Sequence, residues 1–147
     1  MTNQATALSV AHFLLKVADS RESSITNLKL QKLLYYCQGV YLAINETVLF
    51  EDNIEAWVHG PVVPSIYQEF KSFGKNPIQV DEFDCDLDEE TEEILIEVFD
   101  VYGQFSAWKL RDMTHLEPPW MNHEKVAGVI PVLEMQESFK DRVVSAN

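Results

Sequence analysis

The chain has 147 residues, 46% of them hydrophobic and 11% aromatic, with 5 glycines and 6 prolines; that is enough length and apolar content for one packed domain, and it excludes a disordered or low-complexity segment. The formal net charge is −13, and it is concentrated: residues 81–100 hold eleven acids and no base, against six bases and seven acids in 1–80 and five bases and six acids in 101–147. Such a surface repels phosphate backbones, so direct nucleic-acid binding is disfavoured and basic protein partners are favoured.

The first helix is predicted over about residues 6–18, where Val10, Phe13, Leu14, Val17 and Ala18 repeat at i, i+3, i+4, i+7 and i+8. A polar connection, residues 19–24, leads to the strongest signal: Leu30, Leu33, Leu34, Cys37, Tyr41 and Ile44 lie on one helical stripe, which marks a central core helix. Thr26 or Asn27 is placed to cap it. The short runs 47–50 and 54–58 then suggest a β-hairpin, and His59-Gly60-Pro61 ends it. A helix starting at Pro61 or Pro64 buries Val63, Ile66, Tyr67 and Phe70, and Gly74 stops it. Asp88 caps the next helix, whose first turn is acidic and whose Leu95, Val98, Phe99 and Tyr102 face inward. Ser106 caps another, which Glu117-Pro118-Pro119 breaks, and a last helix from Pro131 presents Val132, Met135 and Phe139. The expected fold is therefore mainly α: a single domain over residues 1–147 of about six helices, with a small hairpin near 47–58.

Motifs for chemistry are sparse. The chain has no phosphate-binding glycine loop and no nucleophile elbow, and His123-Glu124 opens like a zinc-protease motif only to meet Ala127 where the second histidine is needed. Cys37 and Cys85 lack CxxC spacing and read as reduced thiols, and the four histidines are scattered, so no metal, cofactor or catalytic residue is assigned. The N-terminus lacks a secretory signal and no apolar run approaches the length of a membrane span, which predicts a cytoplasmic protein with no membrane contact. Lys29 and Lys32 oppose the dipole at the start of their helix, so either salt bridges, apolar packing of their stems or a partner must offset that cost. Tyr36 falls off the leucine stripe and is expected to be accessible.

Three segments, Ile25–Tyr36, Trp57–Tyr67 and Leu110–Trp120, together resemble the Panacea domain of SocA-like antitoxins and phage-associated GepA-like proteins. The pattern is matched at Lys29, Leu30, Lys32, Leu33, Tyr35, Tyr36, Trp57, Gly60, Pro61, Val62, Tyr67, Thr114, His115 and Trp120. The resemblance implies a mostly helical domain that neutralises a toxin encoded nearby by direct binding, in some members as an adaptor that delivers the toxin to a protease, and that is not an enzyme. Partner contacts are expected from Lys29, Lys32 and Tyr36 and from the acids Asp84, Asp86, Asp88, Glu89 and Glu90. Two other readings remain: a ligand or catalytic pocket around Lys29, His59 and His115, and mimicry of nucleic acid by the acidic run.

Overall fold

The computed structural model describes residues 5–144. Helix α1 (Ala7–Ser20) is set by Thr6 and Ser9, whose side chains cap each other's backbone. Helix α2 (Asn27–Asn45) follows, capped by the Thr26 hydroxyl, which accepts from the Lys29 amide. Then come β1 (Glu55–Trp57), β2 (Gly60–Val62) and α3 (Pro64–Glu69), with Pro64 at the first helical position. Helices α4 (Glu89–Tyr102), α5 (Ala107–Thr114), α6 (Pro118–Met121) and α7 (Val132–Val144) complete the chain, with single 3₁₀ turns at Lys71–Phe73 and Glu124–Val126. The mainly helical fold with one small antiparallel sheet is the one the periodicity predicts.

Helix α2 is the axle. It packs on α1, α3, α4, α5, α7 and β2, and every residue from Leu30 to Gly39 is buried. The expected single stripe is therefore too narrow: Ile44 lies exposed beyond the buried stretch, while Leu42 takes the inward place. Helix α7 approaches α2 at Gly39, where any Cβ would collide with the Phe139 ring, so only glycine admits that close crossing. Met135 and Phe139 face the core as predicted; Val132, at the exposed start of α7, does not. Burying side chains of this size contributes about 1.5–3 kcal/mol each.

The hairpin lies later than the hydrophobic runs suggest. Strand β1 pairs with β2 from Glu55↔Val62 to Trp57↔Gly60, and residues 47–50 form no strand. The physical reason is a side chain: the Gln38 amide accepts from the Leu49 N–H at 2.8 Å and donates to the Phe50 carbonyl at 2.8 Å, so this backbone finds its partners on α2. Gln31 does the same work one turn of the fold away, accepting from the Val63 N–H at 2.9 Å and donating to Asn27 at 2.8 Å. Pro61, weighed as a helix start, sits inside β2, opposite Ala56. Helix α3 ends at Glu69, and Gly74, with φ 59°, terminates the 3₁₀ turn that follows it.

Candidate functional site

The three segments that carry the family pattern converge. Lys32 of α2, the β1–β2 turn and the C-terminal end of α5 meet around Gly60, whose φ of 112° is a conformation that L side chains rarely adopt. A Cβ on Gly60 would stand 2.8 Å from Lys32 Cε and 3.0 Å from Thr114 Oγ1. Thr114 is buried and donates its hydroxyl to the Arg111 carbonyl at 2.8 Å, closing α5. His115 stacks on Trp120 with ring centroids 3.8 Å apart, and the Trp120 indole N–H donates to the Trp57 carbonyl at 2.7 Å, so α6 is pinned to β1. Trp57 in turn packs edge-on against Tyr67 of α3. Pro61 and Val62 are buried beneath the turn, and Leu30, Leu33 and Tyr35 lie in the core.

This junction holds a cluster of basic groups. Lys32 is fully buried, and its ammonium makes no hydrogen bond among the described residues; the same is true of Arg111 Nε and His115 Nε2. Burial first, and the nearby Arg111 second, push the Lys32 pKa down to about 7. Burial and Arg111 also lower that of His115, against a backbone hydrogen bond to Val58 that raises it. Arg111 is tied to Asp112 at 3.2 Å and lies over the Trp108 ring.

A second network closes the other side of α2. The Glu117 carboxylate accepts from Tyr35 at 2.7 Å and from Tyr36 at 3.0 Å, and pairs with Arg142 at 3.1 Å. Tyr36 also stacks on Tyr102 at 3.9 Å. The expectation that Tyr36 is accessible is thereby corrected: it is fully buried, because α2 is surrounded on every side. Lys32 is buried as well, so neither side chain belongs to an open, solvent-exposed surface. Burial, and then Glu117, raise both phenolic pKa values. Lys29 is half-buried and donates to the Gly103 carbonyl at 2.6 Å. Its charge therefore sits at the negative end of α4, which offsets the cost of lying at the positive end of α2.

The acidic segment is presented quite differently. In the extended stretch before α4, Asp84, Asp86 and Asp88 are exposed while the alternating Phe83, Cys85 and Leu87 pack on the core. The Asp84 N–H is fixed by His12 Nδ1 at 2.8 Å. Asp88 caps α4 through the Thr91 N–H at 2.7 Å, which lowers its pKa, and Glu89 and Glu90 lie exposed in the first turn.

Between α2, the hairpin, α3 and the start of α5 opens a cleft of about 1160 Å³. His59 lines it and packs edge-on against Trp108, whereas Lys29 does not line it, so the three residues Lys29, His59 and His115 do not converge on one pocket. Gln31, Arg111 and Glu117 carry roles that sequence reasoning did not single out, although all three lie in the segments that it did. No group of three or more His, Cys, Asp or Glu among the described residues is placed to hold a metal ion. No helix of the described residues is long and apolar enough to cross a membrane.

Comparison with known proteins adds three findings. The family model for "Antitoxin SocA-like, Panacea domain" matches residues 30–121. Antitoxin SocA of Caulobacter vibrioides (strain NA1000 / CB15N) is 41% identical over 68 residues, a stretch that covers 46% of this chain and 36% of that protein, so the match spans little more than a third of the relative's length. No solved structure matches the chain.

Proposed function

Because the chain belongs to the family of SocA-like antitoxins built on the Panacea domain, we propose that it neutralises a partner toxin by direct protein–protein binding and makes or breaks no bonds itself. The observation that carries this reading is the acidic strip. Asp84, Asp86 and Asp88 point outward from a backbone whose alternate side chains are held by the core, and Glu89 and Glu90 continue the exposed acids into the first turn of α4. In an extended chain, alternate residues stand roughly 7 Å apart on one face, so the carboxylates form a fixed row rather than a mobile tail. A row of one sign speeds encounter with a basic partner and sets its orientation.

Packed contacts, which the sequence placed near Tyr36, fall in this reading to exposed apolar side chains of residues 116–133. Leu116, Val126 and Leu133 are each more than three-quarters exposed and Met121 about half. Side chains of this kind on a folded surface mark partner sites, and they supply the burial that charge alone does not.

Co-expression with a neighbouring toxic reading frame tests the proposal. The expected result is restored growth and co-purification of the two proteins, and persistent toxicity with no co-purification overturns it. In the wild-type pairing the toxin's half-life separates the two routes. A stable toxin held in complex supports occlusion, and a toxin that vanishes only while an ATP-dependent protease is active supports delivery. An association with a nuclease or other DNA-binding enzyme that DNA competes away would support mimicry of nucleic acid instead.

A further inference from the structure

We propose that the cleft between α2, the hairpin, α3 and α5 is a binding site for a small organic anion, a carboxylate or phosphate carried on an aromatic body. The lining carries the first part of the argument. It includes Lys32, Lys71 and Lys75 and not one aspartate or glutamate, in a chain with 24 acids and 11 bases. A large concavity of basic character thus lies on a protein of strong negative net charge, and a cleft of a single sign focuses its field on the opposite one.

The body of the ligand is read from the other walls. Trp57, Tyr67 and Trp108 line the cleft, and the Trp108 indole is 57% exposed beside His59. Mostly apolar walls with a few placed polar groups are the usual make-up of a small-molecule site, and a volume of about 1160 Å³ is somewhat above the usual range, so a ligand fills part of it.

Lys32 is the second, independent observation. It lines the cleft, is fully buried, and its ammonium has no hydrogen-bond partner among the described residues. A buried charge without a partner is costly, and an anion seated over the Gly60 turn would offset it through a medium of low dielectric. Arg111, paired with Asp112 through Nη1 but with its Nε unbonded among the described residues, lies near enough to push the Lys32 pKa down, so it is a second source of positive field there.

A small molecule fits better than an added peptide strand. The outer edge of β1 is already bonded: the Ala56 N–H donates to the Gly128 carbonyl at 3.0 Å, and the Ile130 N–H donates to the Ile54 carbonyl at 2.8 Å. The Val63 N–H after β2 is taken by Gln31. An extended segment laid in the cleft would find few backbone partners on the hairpin.

The test uses the whole protein and 8-anilinonaphthalene-1-sulfonate, an aromatic anion, with N-phenyl-1-naphthylamine as its uncharged counterpart. Amide NMR shifts locate the site and fluorescence titration gives the affinity. The expected result is saturable one-to-one binding with shifts confined to the cleft lining. Affinity should fall at least 10-fold for the uncharged compound, for Lys71→Gln with Lys75→Gln, and for Trp108→Ala, and about 5-fold for Lys32→Met. The two lysines at positions 71 and 75 are exposed, so their replacement leaves the fold intact. Equal affinity for the charged and uncharged compounds, or binding unchanged by the lysine replacements, overturns the proposal. A capped peptide of alternating glutamate and tryptophan that competes at 10-fold lower concentration also overturns it, in favour of an acidic segment of a partner protein.

Discussion

Two regions of this molecule handle charge in opposite ways. The strip from Asp84 to Glu90 carries five carboxylates in solvent, with Asp88 satisfied by an amide of α4. The junction around Gly60 holds three basic side chains whose buried nitrogens lack hydrogen-bond partners among the described residues. The formal charge of −13 directs attention to the first region, yet exposed charge is well solvated and contributes little to stability either way. The electrostatic cost is instead concentrated where the rarer sign is buried. A chain's charge total therefore says what it attracts at a distance, whereas the placement of a few minority charges says where desolvation costs the fold most.

The comparison is broken most severely at its hinge. Gly60→Val puts a branched side chain on a residue with φ of 112° and drives its Cβ into Lys32 and Thr114. Strain in φ and overpacking together should cost about 3–5 kcal/mol, read as a matching fall in the urea midpoint. Glu117→Leu is next, because it leaves the Tyr35 and Tyr36 hydroxyls without their acceptor in a buried place and removes the carboxylate that faces Arg142. A loss of about 2–4 kcal/mol is expected, with Glu117→Gln recovering part of it, since an amide oxygen still accepts.

Lys32→Met sharpens the comparison by working in the other direction. Replacing a buried, unpartnered ammonium with an apolar chain of similar length should raise stability at pH 7 by about 1–3 kcal/mol. The wild type carries a matching pH signature. With the folded pKa near 7 and the unfolded one near 10.4, the unfolded chain binds the extra proton between those values, so stability rises as pH increases from about 7. The slope is at most about 1.4 kcal/mol per pH unit. Above about pH 9 the rise levels off, because Cys37, whose thiol burial pushes up, ionises only in the unfolded chain and its slope opposes that of Lys32. Urea unfolding at pH 7.0, 8.0 and 9.0 should show this rise in the wild type and no rise, only the slight fall due to Cys37 toward pH 9, in Lys32→Met.

Much of the architecture could be read from the chain because local signals agree with the fold. Thr26, Asp88 and Ser106 cap the helices their positions suggest, and Pro64 opens α3. Where reading failed, a long-range side chain decided the outcome. Residues 47–50 have the composition of a strand, but Gln38, a residue with no local reason to be noticed, takes their backbone bonds. Tyr36 lies off the leucine stripe, and a stripe measures burial only when a helix has one inner face; α2 has neighbours all round, so polar and aromatic positions are buried with the rest. Residues of the family pattern come together at the junction, and the pattern does not say what the junction does. Lys32, Gly60 and Thr114 recur in that pattern, and their meeting is visible only in three dimensions.

The smallest effect on stability falls on the acidic strip, and there a null result on folding is itself the prediction. Asp84→Asn, Asp86→Asn and Glu90→Gln together remove three exposed charges and no packed atom, and they leave the Asp88 cap in place. The unfolding midpoint should change by less than about 0.5 kcal/mol. Association with a basic partner should slow about 10-fold at low ionic strength, with dissociation nearly unchanged, and the difference from wild type should shrink as salt shortens the Debye length below about 10 Å. Stopped-flow association at two salt concentrations measures this directly. An association rate that ignores the substitutions would mean that the row of carboxylates keeps the protein soluble and steers nothing, and the burden of recognition would pass to the exposed apolar side chains between Leu116 and Leu133.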